Sequence, residues 1–199
     1  MCSINQNLQV MNFIFAVLFA VSSVSCASEV ADDQPVFDET PLEVIMSQHA
    51  IKTEDLSVLI DKSDYQLSII HADTVVKWYP VVLGYNPVGD KMQEGDYKTP
   101  EGVFGVRDKY PHKNWKYFIW IDYPNEESWS RFKQRKADGT ISSDAKIGGE
   151  IGIHGTPEGG DALIDDGQNW TFGCISLKRK HVEEIYPYFH KKIQITIQK

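Results

Sequence analysis

His154 and Cys174 are the residues of this chain whose types and spacing best suit joint chemistry. Nineteen residues separate them, and each adjoins a glycine, Gly155 and Gly173. Each also borders a short apolar run, Ile151 to Ile153 on one side and Ile175 to Leu177 on the other. If those runs are neighbouring strands joined by the glycine- and acid-rich segment between them, imidazole and sulfur can meet. A cysteine needs such a partner, because the thiolate is the nucleophile and a free thiol is mostly protonated at neutral pH. His154 would take or share the thiol proton and then protonate a leaving amine. Its other ring nitrogen needs an orienting acceptor; no Asp or Asn flanks it, so the Gly155 carbonyl is the economical candidate. Gly173 lets backbone and substrate approach closely, and the amides around Cys174 could hold a developing oxyanion. An active pair of this kind is expected to hold a thiolate titrating well below the free-thiol value of about 8.5.

Blander readings compete. A lone cysteine is commonly a small buried apolar residue, and a lone histidine is commonly structural. One Cys, one His and the nearby Asp161, Asp165 and Asp166 do not match zinc-ligand spacing, so no metal is expected. The order His-then-Cys is the reverse of papain-like proteases. Sortases run His, Cys, Arg with far more chain between the first two. Here Arg179 follows Cys174 by only five residues, in a lysine-rich turn expected to be exposed.

The elements that must position this pair read as mostly β. Leu56 to Ile60 is a strand, Asp61 to Asp64 a polar turn, and Tyr65 to His71 a second strand. Ala72-Asp73 turns into a third strand, Val75 to Leu83. Gly84 to Asp96 is a loop. Val103, Phe104 and Val106 form one strand and Tyr117 to Ile121 another. Glu126 to Lys136 has helical character, with Trp129 and Phe132 on one face. His181 to Phe189 is helical until Pro187, and Ile193, Ile195 and Ile197 alternate in a closing strand. There is no repeat and no βαβ rhythm, so the expected fold is a mostly β sandwich or barrel-like domain with one or two short helices.

At 199 residues the chain holds one good-sized domain and little more. Its net charge of −8 is uneven: no Lys or Arg precedes Lys52, while Glu29, Asp32, Asp33, Asp38, Glu39 and Glu43 do, leaving about −2 for residues 52–199. A nearly neutral domain gives no reason to expect nucleic acid. Phe13 to Val21 is nine unbroken apolar residues, too short to span a bilayer but suited to an export signal, although no basic residue precedes it. Residues 1–27 are therefore expected to be a signal peptide. Two processing modes compete: cleavage after Ala27, or a lipoprotein signal ending at residue 25 with a lipid anchor at Cys26. Residues 28–54 read as an acidic tether with a short helix around Leu42 to His49, and 55–199 as the working domain. The expected location is the periplasm or cell envelope. With Cys2 and Cys26 in the signal, Cys174 stands alone in the domain, a liability in an oxidising compartment unless buried or used.

Around these residues the chain resembles the L,D-transpeptidase catalytic domain of the YkuD type. That family's pattern is a histidine, usually followed by glycine, then 14–17 residues, then Ser/Thr-His-Gly-Cys. Here sixteen residues lie between His154 and Thr171, and Trp170-Thr171-Phe172-Gly173-Cys174-Ile175-Ser176 follows a branch reading Trp-Thr-x-Gly-Cys-Ile-Ala. Upstream, Gly95-Asp96-Tyr97-Lys98-Thr99-Pro100-Glu101-Gly102-Val103-Phe104 resembles the family's Gly-x-x-x-Thr-Pro-x-Gly-x-Phe segment, whose Thr-Pro-Glu-Gly part reads simply as a turn. The resemblance covers roughly 55–198. It implies Cys174 as nucleophile, His154 as base and acid, the Gly155 carbonyl as orienter and the Gly173–Cys174 backbone near the oxyanion. Thr171 would hold the nucleophile loop, and Thr171, Trp170, Phe172 and Thr156 are candidate substrate contacts. The implied substrate is a peptidoglycan stem peptide, attacked at its diaminopimelate carbonyl with loss of D-alanine. The acceptor is a second stem, a protein lysine or water. No cofactor is implied, and acylation by carbapenems is. The chain departs from the family at Phe172, where a histidine is common, and at Ser176, where an arginine is. These departures leave open a second expectation, a wall-binding module whose site has decayed.

Overall fold

The computed structural model describes residues 39–199. The signal-like segment and Cys26 lie outside the described residues.

Two mixed sheets share one apolar core. The first has strand order β3-β2-β1-β9-β4, built from β1 (Leu56–Asp61), β2 (Gln66–His71), β3 (Thr74–Pro80), β4 (Gly102–Phe104) and β9 (Ile195–Gln198). The second runs β5-β6-β7-β8, from β5 (Val106–His112), β6 (Lys116–Ile121), β7 (Gly152–Gly155) and β8 (Ile175–Leu177). Alternation decides which faces meet: Ile60, Leu67, Ile69, Ile195 and Ile197 from one sheet and Ile119, Ile121, Ile153, Ile175 and Leu177 from the other are all buried in one cluster. This is the expected mostly β, two-sheet class.

The hairpins follow local chemistry. Asp61 Oδ1 accepts from the amides of Ser63 (3.0 Å) and Asp64 (3.1 Å), an Asx turn that reverses the chain into β2. Two expected strands are each split between the sheets. The segment read as Val75 to Leu83 leaves the first sheet at Pro80, whose ring nitrogen has no proton to donate. Beyond it, Val82 bridges Ser176 and Gly84 bridges Thr171. The run Val103–Val106 breaks at Gly105, so β4 pairs with β9 while β5 pairs with β6.

The helices read from sequence are all present, and one single turn is added to them. Besides α2 (Glu126–Ala137) and α4 (Arg179–Ile185) there are α1 (Leu42–Gln48) and the single turn α3 (Ala162–Asp165). Helix α1 falls in the segment read as an acidic tether, yet Leu42 and Met46 are buried in the core and Lys77 Nζ holds both the Thr40 carbonyl and Glu184. Asn125 caps α2 by accepting from the Ser128 amide (3.0 Å). Its Phe132 is buried, but Trp129, expected on the same face, is 42% exposed. Helix α4 ends at Ile185, and Pro187 sits in the short 3-10 turn Tyr186–Tyr188 that follows.

Candidate active site

Strands β7 and β8 are neighbours and parallel, with Ile153 beside Ile175 and His154 beside Ser176. That register carries the chain just ahead of β8, Cys174, to the same sheet edge as His154. Both residues line one cleft of about 380 Å³, with Trp115, Gly149, Glu150, Ile151, Trp170, Thr171 and Phe172.

His154 is held by rings. It is almost fully buried, with Trp115 stacked at 4.4 Å between centroids, Phe118 at 5.8 Å and Trp170 edge-on at 5.5 Å. Trp115 is placed by the β5–β6 turn, where His112 Nδ1 accepts from the Asn114 and Trp115 amides, both at 3.3 Å. The His112 ring then stacks on Trp115 at 4.2 Å. His154 Nδ1 lies 2.8 Å from the Gly155 carbonyl, which fixes that nitrogen as the donor and leaves Nε2 as the basic one. Gly155 has no room for a side chain: a Cβ there would meet the Trp115 carbonyl at 2.7 Å and Val182 Cγ1 at 2.9 Å.

Cys174 is held by backbone. Thr171 Oγ1 donates to the Cys174 carbonyl (2.6 Å) and accepts from the Gly173 amide (3.2 Å), so one hydroxyl ties both ends of the turn. Gly173 has φ +132°, and a Cβ there would stand 2.7 Å from the Lys98 carbonyl. The sulfur lies 3.5 Å from the Glu150 carbonyl, and Glu150 itself is left-handed at φ +57°. Lys98 belongs to the Gly95–Phe104 segment, so that segment is more than the turn expected of Thr99 to Gly102. Buried Thr99 accepts from the Gly84 amide through Oγ1 (3.2 Å), and the chain around it roofs the nucleophile turn. Asp96 organises the approach. Burial raises its pKa, but the Lys91 ammonium (2.8 Å) and the amides of Lys98, Met92 and Gln93 outweigh that and hold it below the ordinary value.

Burial pushes the Cys174 thiol up to about 11, against the opposing pull of the Gly152 amide and Lys91. Burial likewise pushes His154 down to about 4, with the Gly155 carbonyl opposing. Burial therefore favours the neutral form of each group, a thiol and an imidazole lining one cleft. In so dry a setting a separated ion pair is costlier than the neutral one.

A family model for the L,D-transpeptidase catalytic domain (YkuD) matches residues 55–197. The chain belongs to this family. A search among curated proteins gives no match. Among solved structures, the helical cell shape determining protein Pgp2 from Campylobacter jejuni is 23% identical with a TM-score of 0.53, covering 79% of this chain and 55% of that one. An L,D-transpeptidase from Mycobacterium smegmatis is 13% identical with a TM-score of 0.47, covering 73% and 59%. Bd1075 from Bdellovibrio bacteriovorus is 17% identical with a TM-score of 0.49, covering 73% and 47%. The chain thus spans about half the length of the solved structures it matches. The Pgp2 likeness speaks for the fold.

Within this L,D-transpeptidase-family domain the candidate residues divide. His154, Trp170, Thr171, Phe172 and Cys174 meet at the cleft. Thr156 does not. It is buried, its hydroxyl donates to Asp161 (2.5 Å), and its carbonyl accepts from Arg179 (3.1 Å). Strand β7 ends at Gly155, so the alternation that turns His154 to the cleft does not carry on to Thr156. Asp161 also accepts from the Arg179 amide (3.0 Å) and Asp165 pairs with Lys178, so the acidic loop and the basic turn hold each other at the surface, where Asp165 and Asp166 are exposed. Ser176 is fully buried in β8. Trp115, His112 and Glu150 escaped the sequence reading. The first two lie on a distant hairpin, and Glu150 acts through its carbonyl, which residue type does not reveal.

Proposed function

We propose that the protein is an exported cysteine acyltransferase acting on peptidoglycan stem peptides, with Cys174 as nucleophile and His154 as its general base and acid. The observation that supports this most is the shared cleft: at the edge of two parallel strands, a histidine oriented through Nδ1 and a cysteine on a turn roofed by the Lys98 segment line the same hollow.

In this reading the donor carbonyl enters the cleft and Sγ attacks it. The S–H proton passes to His154 Nε2 as the C–S bond forms, so charge appears only as the reaction needs it. Because the Gly173 amide is engaged by Thr171, the Cys174 amide takes the oxyanion. Collapse of the tetrahedral intermediate breaks the C–N bond, His154 gives its proton to the leaving nitrogen, and D-alanine departs. An acceptor amine then delivers its proton to His154, attacks the thioester and restores the thiol. A second stem is the acceptor proposed here; a protein lysine or water would use the same steps. No group beyond the chain's own is called upon. The signal-like segment 1–27 supports placing this chemistry in the periplasm or cell envelope, with Cys26 as a possible lipid anchor.

Mass spectrometry of disaccharide-tetrapeptides incubated with the protein, beside Cys174→Ala, tests the reading. Cross-linked dimers with D-alanine release, absent from the variant, are expected. Tripeptide alone would make the enzyme a carboxypeptidase. Unchanged substrate with both proteins would overturn the acyltransferase and favour the wall-binding module that Phe172 and Ser176 first suggested.

A further inference from the structure

Phe172, two residues before the cysteine, is 73% exposed. It does not stand alone. Tyr97 is 45% exposed with its ring 5.4 Å from Phe172, and Tyr85 is 57% exposed with its ring 6.0 Å from Phe172 and 6.2 Å from Tyr97. Single exposed apolar side chains are ordinary, but three large rings gathered at the lip of a cleft ask for something to cover them.

Two further observations point to a ligand. The backbone of Tyr97 is left-handed, at φ +56°, a conformation costly for an aromatic residue and kept only where its surroundings impose it. Here the Tyr97 carbonyl is held by the Asn86 amide (3.2 Å) while the strained residue presents its ring outward beside Phe172. The cluster is also continuous with the reaction cleft, since Phe172 lines it together with Cys174. On its other side Phe172 and Tyr97 border a second hollow of about 700 Å³ with Glu94 and Glu150 on its rim.

The chemistry of the cluster narrows the occupant. Exposed aromatic faces take the C–H face of a pyranose ring, and phenol hydroxyls offer hydrogen bonds to sugar hydroxyls and acetamides. We infer that Phe172, Tyr97 and Tyr85 form a platform for the uncharged amino-sugar glycan to which the reacting peptide is attached. This rests on the acyl-transfer reading for its substrate but not for its binding. Three peptide residues span about 10 Å when extended, so a sugar carried three residues before the attacked carbonyl can reach rings that begin two residues from Cys174.

The test combines binding and turnover. Isothermal titration of Cys174→Ala protein with the N-acetylglucosamine tetramer is expected to show binding that weakens at least fivefold when Phe172→Ala or Tyr97→Ala is added, with melting curves confirming folded protein. In the active protein, kcat/KM is expected to favour a disaccharide-tetrapeptide over the free tetrapeptide by a similar factor. Tyr85→Ala should remove that preference while leaving the free tetrapeptide's turnover as it was. No glycan binding, or binding indifferent to these rings, with both donors used equally well, would overturn the platform and leave the acyltransferase standing. Ring-dependent glycan binding with neither donor consumed would support the platform and overturn the acyltransferase.

Discussion

His154 and Cys174 sit one strand apart, yet the chain holds them by different means. The histidine belongs to a fully buried strand, packed against Trp115 and Phe118. The cysteine sits on a turn held by hydrogen bonds and by backbone angles that most residues avoid, next to the most exposed of the three lip aromatics. Packing holds the histidine fixed at little local cost. Cys174 stays partly exposed, its position imposed by a roof and a hydroxyl instead of by burial among side chains.

Removing either group should abolish acyl transfer, by about 10³-fold or more, but the two losses should part on stability. His154→Ala opens a hole among aromatic rings and is expected to cost about 2–4 kcal/mol in denaturant unfolding. Cys174→Ala should cost under about 1 kcal/mol. Equal destabilisation would break the contrast. Acidity sharpens it next. His154 and His181 are both pushed down to about 4 by burial, whereas an unfolded histidine titrates near 6.5. Between those values the unfolded chain binds more protons. Stability is therefore full above about pH 6.5 and is lost as pH falls toward 4, by up to about 3 kcal/mol per histidine. His154→Gln should remove its share of that slope, and Cys174→Ala should leave it. The same neutral pair predicts that alkylation of Cys174 keeps accelerating through pH 8–10, toward a thiol pKa of about 11; a plateau near pH 7 would instead mean a resting thiolate.

Smaller effects belong to the turn. Gly173→Ala forces a side chain into a left-handed angle against the Lys98 carbonyl and should cost about 1–3 kcal/mol, with activity falling further as the turn shifts. Thr171→Val removes the hydrogen bonds to Cys174 and Gly173 at about 1–2 kcal/mol. Its loss of kcat should exceed its loss of KM, because the turn carries the nucleophile more than it binds substrate. A Gly173→Ala protein with wild-type melting and turnover would mean the roof is not what fixes the turn.

Much of this was legible in the residues. A histidine and a cysteine, each at the edge of an apolar run, imply neighbouring strands, and β7 and β8 are such a pair. Asp61 announced its turn, and alternation announced the strands around it. What sequence concealed was partnership. Val103 to Val106 reads as one strand because alternation says nothing of which sheet accepts each half, and the change of sheet at Gly105 is settled by distant β9 and β6. Thr156 looked like a neighbour of His154 until Asp161 took its hydroxyl. The thiol's acidity is hidden for a related reason: residue type tells what a cysteine can do, but its surroundings decide what it is at rest.

Strand β9 has a consequence for how the molecule comes into being. It lies between β1 and β4, pairing Val58 with Ile195 in parallel and Phe104 with Ile195 in antiparallel. The first sheet is thus keyed by a strand that lies far along the chain from its partners. A nascent chain that has already emerged past Cys174 owns every reactive group but lacks the keystone that joins its opening meander to the strand leading into the second sheet. Such long-range closure is slow, so the first sheet is expected to close late in folding, and removing β9 should unfold the domain without altering any residue of the cleft.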